Sequence, residues 1–334
     1  MKYLLILIIL VFGQIFYVNA QADLSADDIL NKSIDFCGGI KNISKIKSSS
    51  IIYDMTAGDG RQGSLVIKRD ISHKYMRSVL SDNFAPTSMF FNGAALKVVD
   101  GEKVTLINDL NSIEEIKLQT YDLIQYGYKE LSYKLKRLDD QKFKAFDCYV
   151  LKATAPDGYA TLNYFDKTNF RLIMVIYPKG NRSLLMEYAF KDSVLVNLKI
   201  LNAEENSDQM TLTLRKLDNN IDISPIWFSC ENSETTAVPD YIRTGNFVSA
   251  DGATVKRSET TQIENGANFN STLSLNWYNN YGYVIQHIKS INEQNPSQTN
   301  EKIYVKIVSW DKDGYACHYY TKQISGTAEY KIKK

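Results

Sequence analysis

Gly63-Ser64-Leu65-Val66-Ile67-Lys68-Arg69 is the stretch of sequence that points most directly to the fold. In an extended chain successive side chains face opposite ways, so Leu65 and Ile67 would lie on one face and Val66 and Lys68 on the other. We therefore predict a β-strand at this point.

A hairpin is predicted further along the chain. Leu96 and Val98 alternate towards Asp100-Gly101, and Val104 and Leu106 continue the alternation beyond that pair. An Asp-Gly pair between two alternating runs is a strong hairpin signal. The next alternating runs span 149–153, 159–165 and 172–177. We expect an antiparallel sheet that extends to about residue 228.

Two segments favour helices instead. The first begins at Ser25, with Asp28 as its capping partner, and ends at the two glycines that follow Cys37. The second begins at Ser112, with Glu115 in the same role, and runs to about residue 127. Both are amphipathic and could cover one face of the sheet.

A polar stretch at 229–244 is the best candidate for a linker, and we place a domain boundary near residue 235. Strict alternation returns beyond it, and a polar loop follows at 292–300. The alternating runs include 273–277, 283–288, 303–308 and 315–320. We therefore predict that the C-terminal hundred residues form a second, all-β unit.

The first twenty residues have the three parts of an export signal. Lys2 gives a basic start, residues 3–12 are apolar, and Val18-Asn19-Ala20 presents the small residues that a signal peptidase reads. The apolar run is shorter than the roughly 20 residues that a membrane span needs. We expect cleavage after Ala20, or alternatively two residues later. No cysteine follows the cut to carry a lipid, the first being Cys37, so the mature chain should be free and soluble.

Composition narrows the class of protein. The chain has 334 residues, enough for about two domains, and its 39 basic and 38 acidic side chains leave a net charge of +1. No overall field would attract nucleic acid, which we do not expect as a partner. The 22 Tyr and 14 Phe, with only 6 Pro, favour strands over helices.

Four widely separated cysteines are present, namely Cys37, Cys148, Cys230 and Cys317. Disulfides persist in exported proteins, and four cysteines allow three connectivities. We predict a bond between Cys37 and Cys148, with buried free thiols as the alternative.

Catalytic motifs are scarce. The chain lacks the G-x-S-x-G and H-E-x-x-H patterns and any phosphate-binding glycine loop, and its three histidines are His73, His287 and His318. Cys317 and His318 could join His287 in a metal site, but adjacent strand residues face opposite ways. Residues 311–314 resemble the start of a calcium loop without its closing glutamate, which favours a hairpin turn. We predict no enzyme, no cofactor and no metal; a hydrolase would need His287 or His318 in a deep cleft beside a carboxylate.

The order of these motifs resembles the periplasmic lipoprotein carriers of the LolA type and their relatives in Bacteroidetes, over roughly residues 22–228. In that family a short helix precedes a strand with the pattern Gly-x-Leu-x-x-Lys-Arg, matched here by 63–69. Tyr75 stands where the next strand has an aromatic, and Asn92-Gly93 where a glycine turn precedes a strand. The segment around Asp166-Lys167-Thr168 is similar to a Y-F-D-x-T strand pair of the Bacteroidetes relatives.

The resemblance implies a mostly β (α+β) fold: an incomplete antiparallel β-barrel covered by short helices over 21–234, with an all-β domain of unknown role over 235–334. Its apolar cavity would hold acyl chains, each buried methylene contributing about 0.8 kcal/mol. The implied function is a monomeric periplasmic carrier of lipoprotein or lipid acyl chains, served by membrane-bound donor and acceptor proteins. The alternative is a secreted binding module for another apolar ligand or a protein partner.

By the same resemblance, Arg69 matches the arginine that in LolA reaches the covering helix and holds the empty cavity closed. Asp70 replaces the family's following proline, and its carboxylate could engage the guanidinium instead. An exposed arginine at a strand end is the plainer alternative. The candidate lining residues, which would suit an ordinary core equally well, are Leu65, Ile67, Tyr75, Met76, Phe90, Leu96, Val98, Leu162 and Met174.

Overall fold

The computed structural model describes residues 24–70, 72–81, 87–100, 103–203, 209–232, 237–278, 280–291 and 301–333. The predicted signal peptide and the polar loop at 292–300 lie outside the described residues. The chain forms a large antiparallel sheet, a closed eight-stranded antiparallel barrel and a few short helices. The predicted mostly β fold class is thereby confirmed.

Thirteen antiparallel strands make up the large sheet. In chain order they are β1 (Ser48–Ala57), β2 (Gln62–Asp70), β3 (Tyr75–Ser81), β4 (Thr87–Phe91), β5 (Leu96–Asp100), β6 (Lys103–Ile107), β7 (Lys134–Phe143), β8 (Phe146–Thr154), β9 (Ala160–Asp166), β10 (Leu172–Ile176), β11 (Arg182–Lys191), β12 (Val194–Ala203) and β13 (Met210–Asn219). β1 pairs with both β2 and β13, so the sheet has β6 at one edge and β7 at the other.

Short helices cover one face of this sheet, which we call the covered face. They are α1 (Ala26–Phe36), α2 (Ile40–Ile43), α3 (Leu110–Gln119) and α4 (Ile124–Glu130). α1 is the predicted first helix, with Ser25 and Asp28 forming a reciprocal capping box. No helix among the described residues is long and apolar enough to cross a bilayer.

The predicted bounds of the second helix are wrong in two respects. Its N-cap is Asp109, whose carboxylate accepts a hydrogen bond from the Ser112 backbone N–H, so Ser112 already lies inside the first turn. The helix also ends at Gln119, and α4 begins only after Leu123, which is extended. The four residues 120–123 therefore form a connection between two helices.

Gly38 fixes the end of α1 against the sheet. Its φ is +116°, and a Cβ there would lie 2.1 Å from the backbone oxygen of Ser193, between β11 and β12. The Leu195 N–H donates to the Cys37 carbonyl at 2.9 Å. Only glycine combines this backbone conformation with so close an approach.

Eight further strands close into a barrel. They are β14 (Gly245–Ser249), β15 (Thr254–Arg257), β16 (Thr261–Asn265), β17 (Asn270–Trp277), β18 (Gly282–Ile291), β19 (Lys302–Asp311), β20 (Gly314–Tyr320) and β21 (Ser325–Ile332). Pairing of β14 with β21 closes the ring, and the short helix α5 (Asp240–Arg243) precedes it. The predicted domain boundary at residue 235 lies outside the described residues, so separate domains stay a prediction.

The barrel interior is filled by side chains around Arg257. Its guanidinium donates to the hydroxyls of Tyr283 and Tyr315 at 2.8 and 2.5 Å. It also donates to the side-chain oxygen of Gln262 at 2.8 Å and to the carbonyl of Ile242 at 3.1 Å. These contacts satisfy a cation that would otherwise be costly to bury.

The sheet does not continue to residue 228 as predicted. Its last strand ends at Asn219, and Pro225–Asn232 form a 3₁₀ helix that begins at a residue without a backbone N–H to donate. Trp227 and Phe228 from this segment pack between the sheet and the barrel, against Val66 on one side and Ala316 on the other.

We call this contact region the seam. Ser64 and Ser78 of the sheet hydrogen-bond the two ring nitrogens of His318 at 3.1 and 3.2 Å. Burial, with the charges of Lys306 and Lys68, lowers the pKa of His318 to about 3, so the ring is neutral at pH 7. The Trp227 indole N–H closes the seam by donating to the Glu329 carboxylate at 2.5 Å.

Candidate functional site

An apolar cavity of about 220 Å³ lies between the covered face and the connection that joins α3 to α4. The strands and the helical cover both contribute apolar side chains. Those on the strands include Ile51, Leu65, Val175 and Leu212, and those on the cover include Leu118 and Leu123. The cavity therefore has a continuous sheet as its floor and a separate short segment as its lid.

Arg69 fastens that segment to β2. Its guanidinium makes a salt bridge of 2.5 Å with Asp122 and donates to the carbonyls of Tyr121 at 2.7 Å and Gln119 at 3.2 Å. Its Nε donates to the Ser49 hydroxyl at 3.1 Å, which in turn donates to Asp122 at 3.0 Å. We call these contacts the Arg69 tie. Only 9% of Arg69 is exposed. The alternative interpretation of Arg69, as an exposed arginine at the end of a strand, is therefore wrong.

Asp70 does not compete for this guanidinium. Its carboxylate accepts hydrogen bonds from the Ser72 backbone N–H at 2.9 Å, the Ser72 hydroxyl at 2.6 Å and the Lys74 backbone N–H at 3.1 Å. The acid is held in the turn between β2 and β3. The Asp70 carboxylate is thus occupied within the turn, and Arg69 reaches the α3–α4 connection instead.

The tyrosines and the cysteine that line the cavity are neutral at pH 7. Burial raises the pKa of Tyr53 to about 12 and that of the Cys37 thiol to about 12. Burial also raises the pKa of Tyr75, whose hydroxyl donates to the Gln119 side chain at 3.1 Å. The Cys37 thiol is therefore protonated at pH 7 and is not a nucleophile.

A polar space of about 290 Å³ adjoins the cavity, and we call it the vestibule. Cavity and vestibule share Arg77, Gln119, Tyr177, Ser183 and Asn202. The vestibule adds Glu115, Asn181 and Arg182. The site as a whole thus combines an apolar space with an adjoining polar one.

The structure brings four of the predicted site residues together as cavity lining, namely Leu65, Ile67, Arg69 and Tyr75. Leu96 packs beside them against Tyr75 and Ile116, beneath α3, without lining the cavity. Val98 lies two residues further along the same strand and does not line the cavity either.

The other four predicted lining residues lie elsewhere. Met76 and Phe90 point into the seam, because each neighbours in sequence an aromatic residue on the covered face, Tyr75 or Phe91. Leu162 and Met174 pack together on the opposite face of the sheet, away from the cavity. Strand alternation alone requires Tyr75 and Met76 to face opposite ways, so predicting both as lining was inconsistent.

The sequence predicted helices over the sheet, but it did not predict the break between α3 and α4, the contact of Asp122 with Arg69, or the cavity wall formed by β12 and β13. Asp122 interrupts an apolar stretch between two helical runs, and that single acid was the available signal for a break and a partner. Leu195 on β12 and Leu212 on β13 also line the cavity. The alternation of Met210, Leu212 and Leu214 could have identified the last of these strands.

The predicted disulfide is wrong, because Cys37 and Cys148 are both buried free thiols. Cys37 belongs to the core on the covered face, whereas Cys148 packs with Met174 on the opposite face. The sheet lies between them. Cys317 is also a free thiol, and the side chain of Cys230 lies outside the described part of the chain.

Cys317 and His318 do not form the metal site that the sequence allowed. Cys317 faces the barrel interior and His318 faces the seam, as alternation requires, so the two do not converge. The partners of His318 are the hydroxyls of Ser64 and Ser78 rather than a carboxylate. Across the described residues, no three His, Cys, Asp or Glu side chains are grouped to hold a metal ion.

No protein-family model matches the chain, and no curated protein matches it. Among solved structures, a LolA superfamily protein from Nitrosomonas europaea is 13% identical, with 63% of this chain and 100% of that chain covered and a TM-score of 0.43. An outer membrane lipoprotein-sorting domain from Vibrio parahaemolyticus is 14% identical, with coverages of 60% and 98% and a TM-score of 0.41. MucB is 10% identical over 94% of both chains, with a TM-score of 0.24. At these TM-scores the likeness supports no functional assignment.

Proposed function

We propose that this protein is an exported carrier that binds the acyl chains of lipoproteins or lipids and moves them between membranes across the periplasm. The observation that supports this proposal is the apolar cavity between the covered face and the α3–α4 connection. Such a site needs no catalytic residue, because burial of methylene groups itself stabilises the complex by about 0.8 kcal/mol each.

The size of the cavity gives the Arg69 tie a role in this proposal. About 220 Å³ is less than the roughly 300–1,000 Å³ of typical ligand sites, so a long acyl chain requires the cover to move outwards. The tie joins β1 and β2 to residues 119–122. Release of this one short segment would enlarge the cavity without breaking any strand pairing.

Several parts of the proposal concern the whole protein rather than the cavity. We propose that the mature chain acts as a monomer, that 21–234 form the lipid-binding domain and that 235–334 form a second domain. Membrane-bound proteins would donate and accept the cargo. The seam places the barrel directly behind β2 and β3, where it supports the wall of the cavity.

The decisive experiment is to purify the mature protein from its native compartment, extract it with organic solvent and identify the extracted lipids by mass spectrometry. We expect acylated molecules in a constant ratio to protein, and displacement of a fluorescent fatty acid by them. If the purified protein contains no lipid and binds no acyl probe, the proposed carrier function is wrong.

A further inference from the structure

Two arginines from neighbouring strands face the cavity, and only one of them has a counter-charge. Arg69 on β2 is neutralised by Asp122. Arg77 on β3 is half-buried, lies opposite the cavity-lining Ile67 and lines both cavity and vestibule. Within the described residues, the side chain of Arg77 makes no hydrogen bond and no ion pair.

The vestibule contains a second arginine of the same kind. Arg182 is exposed at the start of β11, and its side chain too has neither hydrogen bond nor ion pair within the part of the chain that the structure describes. The neighbouring Asn202 and Ser183 are hydrogen-bonded to each other at 2.7 Å. Glu115 is the acid of the vestibule, and it accepts a hydrogen bond from Gln119 at 3.3 Å.

Arg171 adds a further positive charge to the cavity lining. It is 9% exposed, and its guanidinium lies 4.7 Å from the centre of the Tyr188 ring. Cavity and vestibule together are lined by four arginines and two acids, one of which belongs to the Arg69 tie. A half-enclosed, partly apolar space with an excess of positive charge attracts an anion.

The geometry points to a ligand with an anionic headgroup, a carboxylate or a phosphate: we propose that Arg77 and Arg182 bind this group in the vestibule while its acyl chain fills the cavity. This inference rests on the proposed function, whose cavity it uses. Guanidinium groups suit both anions, since they donate two parallel hydrogen bonds to either. The headgroup would also compensate the cost of the half-buried, unpaired Arg77.

Matched ligands test the inference with the full mature chain. 1-Palmitoylglycerol 3-phosphate is compared with 1-palmitoylglycerol, and palmitate with methyl palmitate, as competitors of a fluorescent acyl probe. We expect at least one charged member to bind about tenfold tighter than its neutral partner. The Arg77→Gln and Arg182→Gln variants should lose most of this preference, so that the charged and neutral members of each pair bind them with similar affinity.

The outcomes separate the two proposals. Equal binding of charged and neutral ligands would overturn the headgroup site and leave the acyl carrier standing. Absence of binding by all four ligands would overturn both. Arg61→Gln, which removes an exposed arginine paired with Asp59 in a turn, is the matched control and should keep the full preference. Melting temperatures near that of the wild type would show that each variant is folded.

Discussion

The chain builds two β interiors, one full and one hollow. In the barrel, backbone pairing continues around the ring from β14 to β21, and aromatic side chains surround Arg257 in the centre. In the large sheet, β6 and β7 remain as edges, and separate helices cover one face. An apolar cavity of about 220 Å³ is left under that cover.

The difference lies in what closes each interior. A ring of eight strands is just wide enough for side chains to fill, and opening it would break a ladder of backbone hydrogen bonds. The cover over the sheet is held near the cavity by side-chain contacts of Arg69 instead. Arg257 joins parts of a single closed wall with α5, whereas Arg69 joins a strand of the sheet to a separate segment of the cover.

The largest effect on stability is expected when the buried charge of Arg257 is removed from the barrel interior. Arg257→Met should lower the free energy of unfolding by about 3 kcal/mol, because it leaves the hydroxyls of Tyr283 and Tyr315 buried without their donor. Denaturation in guanidinium chloride measures this loss. Arg257→Lys should recover only part of it, since an ammonium cannot reproduce the planar fork. A loss below about 1 kcal/mol would show that the barrel interior does not depend on this cation.

The seam between the two interiors should respond to acid. The pKa of His318 is about 3 in the folded protein and near 6.5 in the unfolded chain, so the unfolded chain binds more protons between these values. The contribution of neutral His318 to the free energy of unfolding should therefore be fully present above pH 6.5. Below that pH, the free energy of unfolding should fall by roughly 1.4 kcal/mol per pH unit.

The measurement is urea denaturation at pH 7.5 and pH 5. Wild type should lose about 2 kcal/mol more than His318→Gln over this interval, because the variant has no imidazole to protonate. Parallel pH dependence in the two proteins would mean that His318 titrates normally, and hence that the seam admits water.

Filling the hollow interior should abolish most binding. Ile67→Trp would place a larger side chain in the cavity, and we expect acyl-probe affinity to fall about tenfold, equivalent to about 1.4 kcal/mol. Leu162→Trp is the matched control, because Leu162 is also partly buried but packs on the opposite face. Similar losses in both variants would point to general destabilisation rather than to occupancy of the cavity.

The smallest change in ligand affinity is expected when the contacts of Arg69 with the α3–α4 connection are removed. Arg69→Leu should accelerate both uptake and release of a fluorescent fatty acid several-fold in stopped-flow experiments, with a weaker effect on affinity, since both rates pass through the open cover. Arg215→Leu breaks a comparable pair of 2.6 Å with Asp54 at a position that does not line the cavity, and should leave the rates unchanged. If Arg69→Leu also leaves them unchanged, the tie has no gating role.

The sequence predicted the strands better than it predicted what surrounds them. Alternation at 63–69 and 96–106 identified β2, β5 and β6 because a strand's periodicity is local. It also separated Cys317 from His318 correctly. Applied consistently, the same rule would have assigned Met76 and Phe90 to the seam side.

Long-range contacts account for most of what was missed. The break between α3 and α4 is stabilised by Arg69, some fifty residues away in sequence, and no local pattern specifies that pairing. The burial of Trp227 depends on surfaces contributed by both the sheet and the barrel. Of the cavity, the sequence pattern predicted one wall and helices to cover it, and the family resemblance indicated Arg69. The break in the cover and the vestibule became visible only in the fold.

One face of β2 lines the cavity and the other contacts the barrel, so this strand can couple the binding free energies of the two parts. Leu65 and Arg69 line the cavity, while Ser64 and Val66 on the same strand contact the barrel through the seam. Any ligand of the barrel that displaces β2 would change the affinity of the cavity for cargo. By reciprocity, cargo would change the affinity of the barrel for that ligand by the same factor. Because one strand is shared, occupancy of the cavity and occupancy of the barrel surface would be coupled through β2.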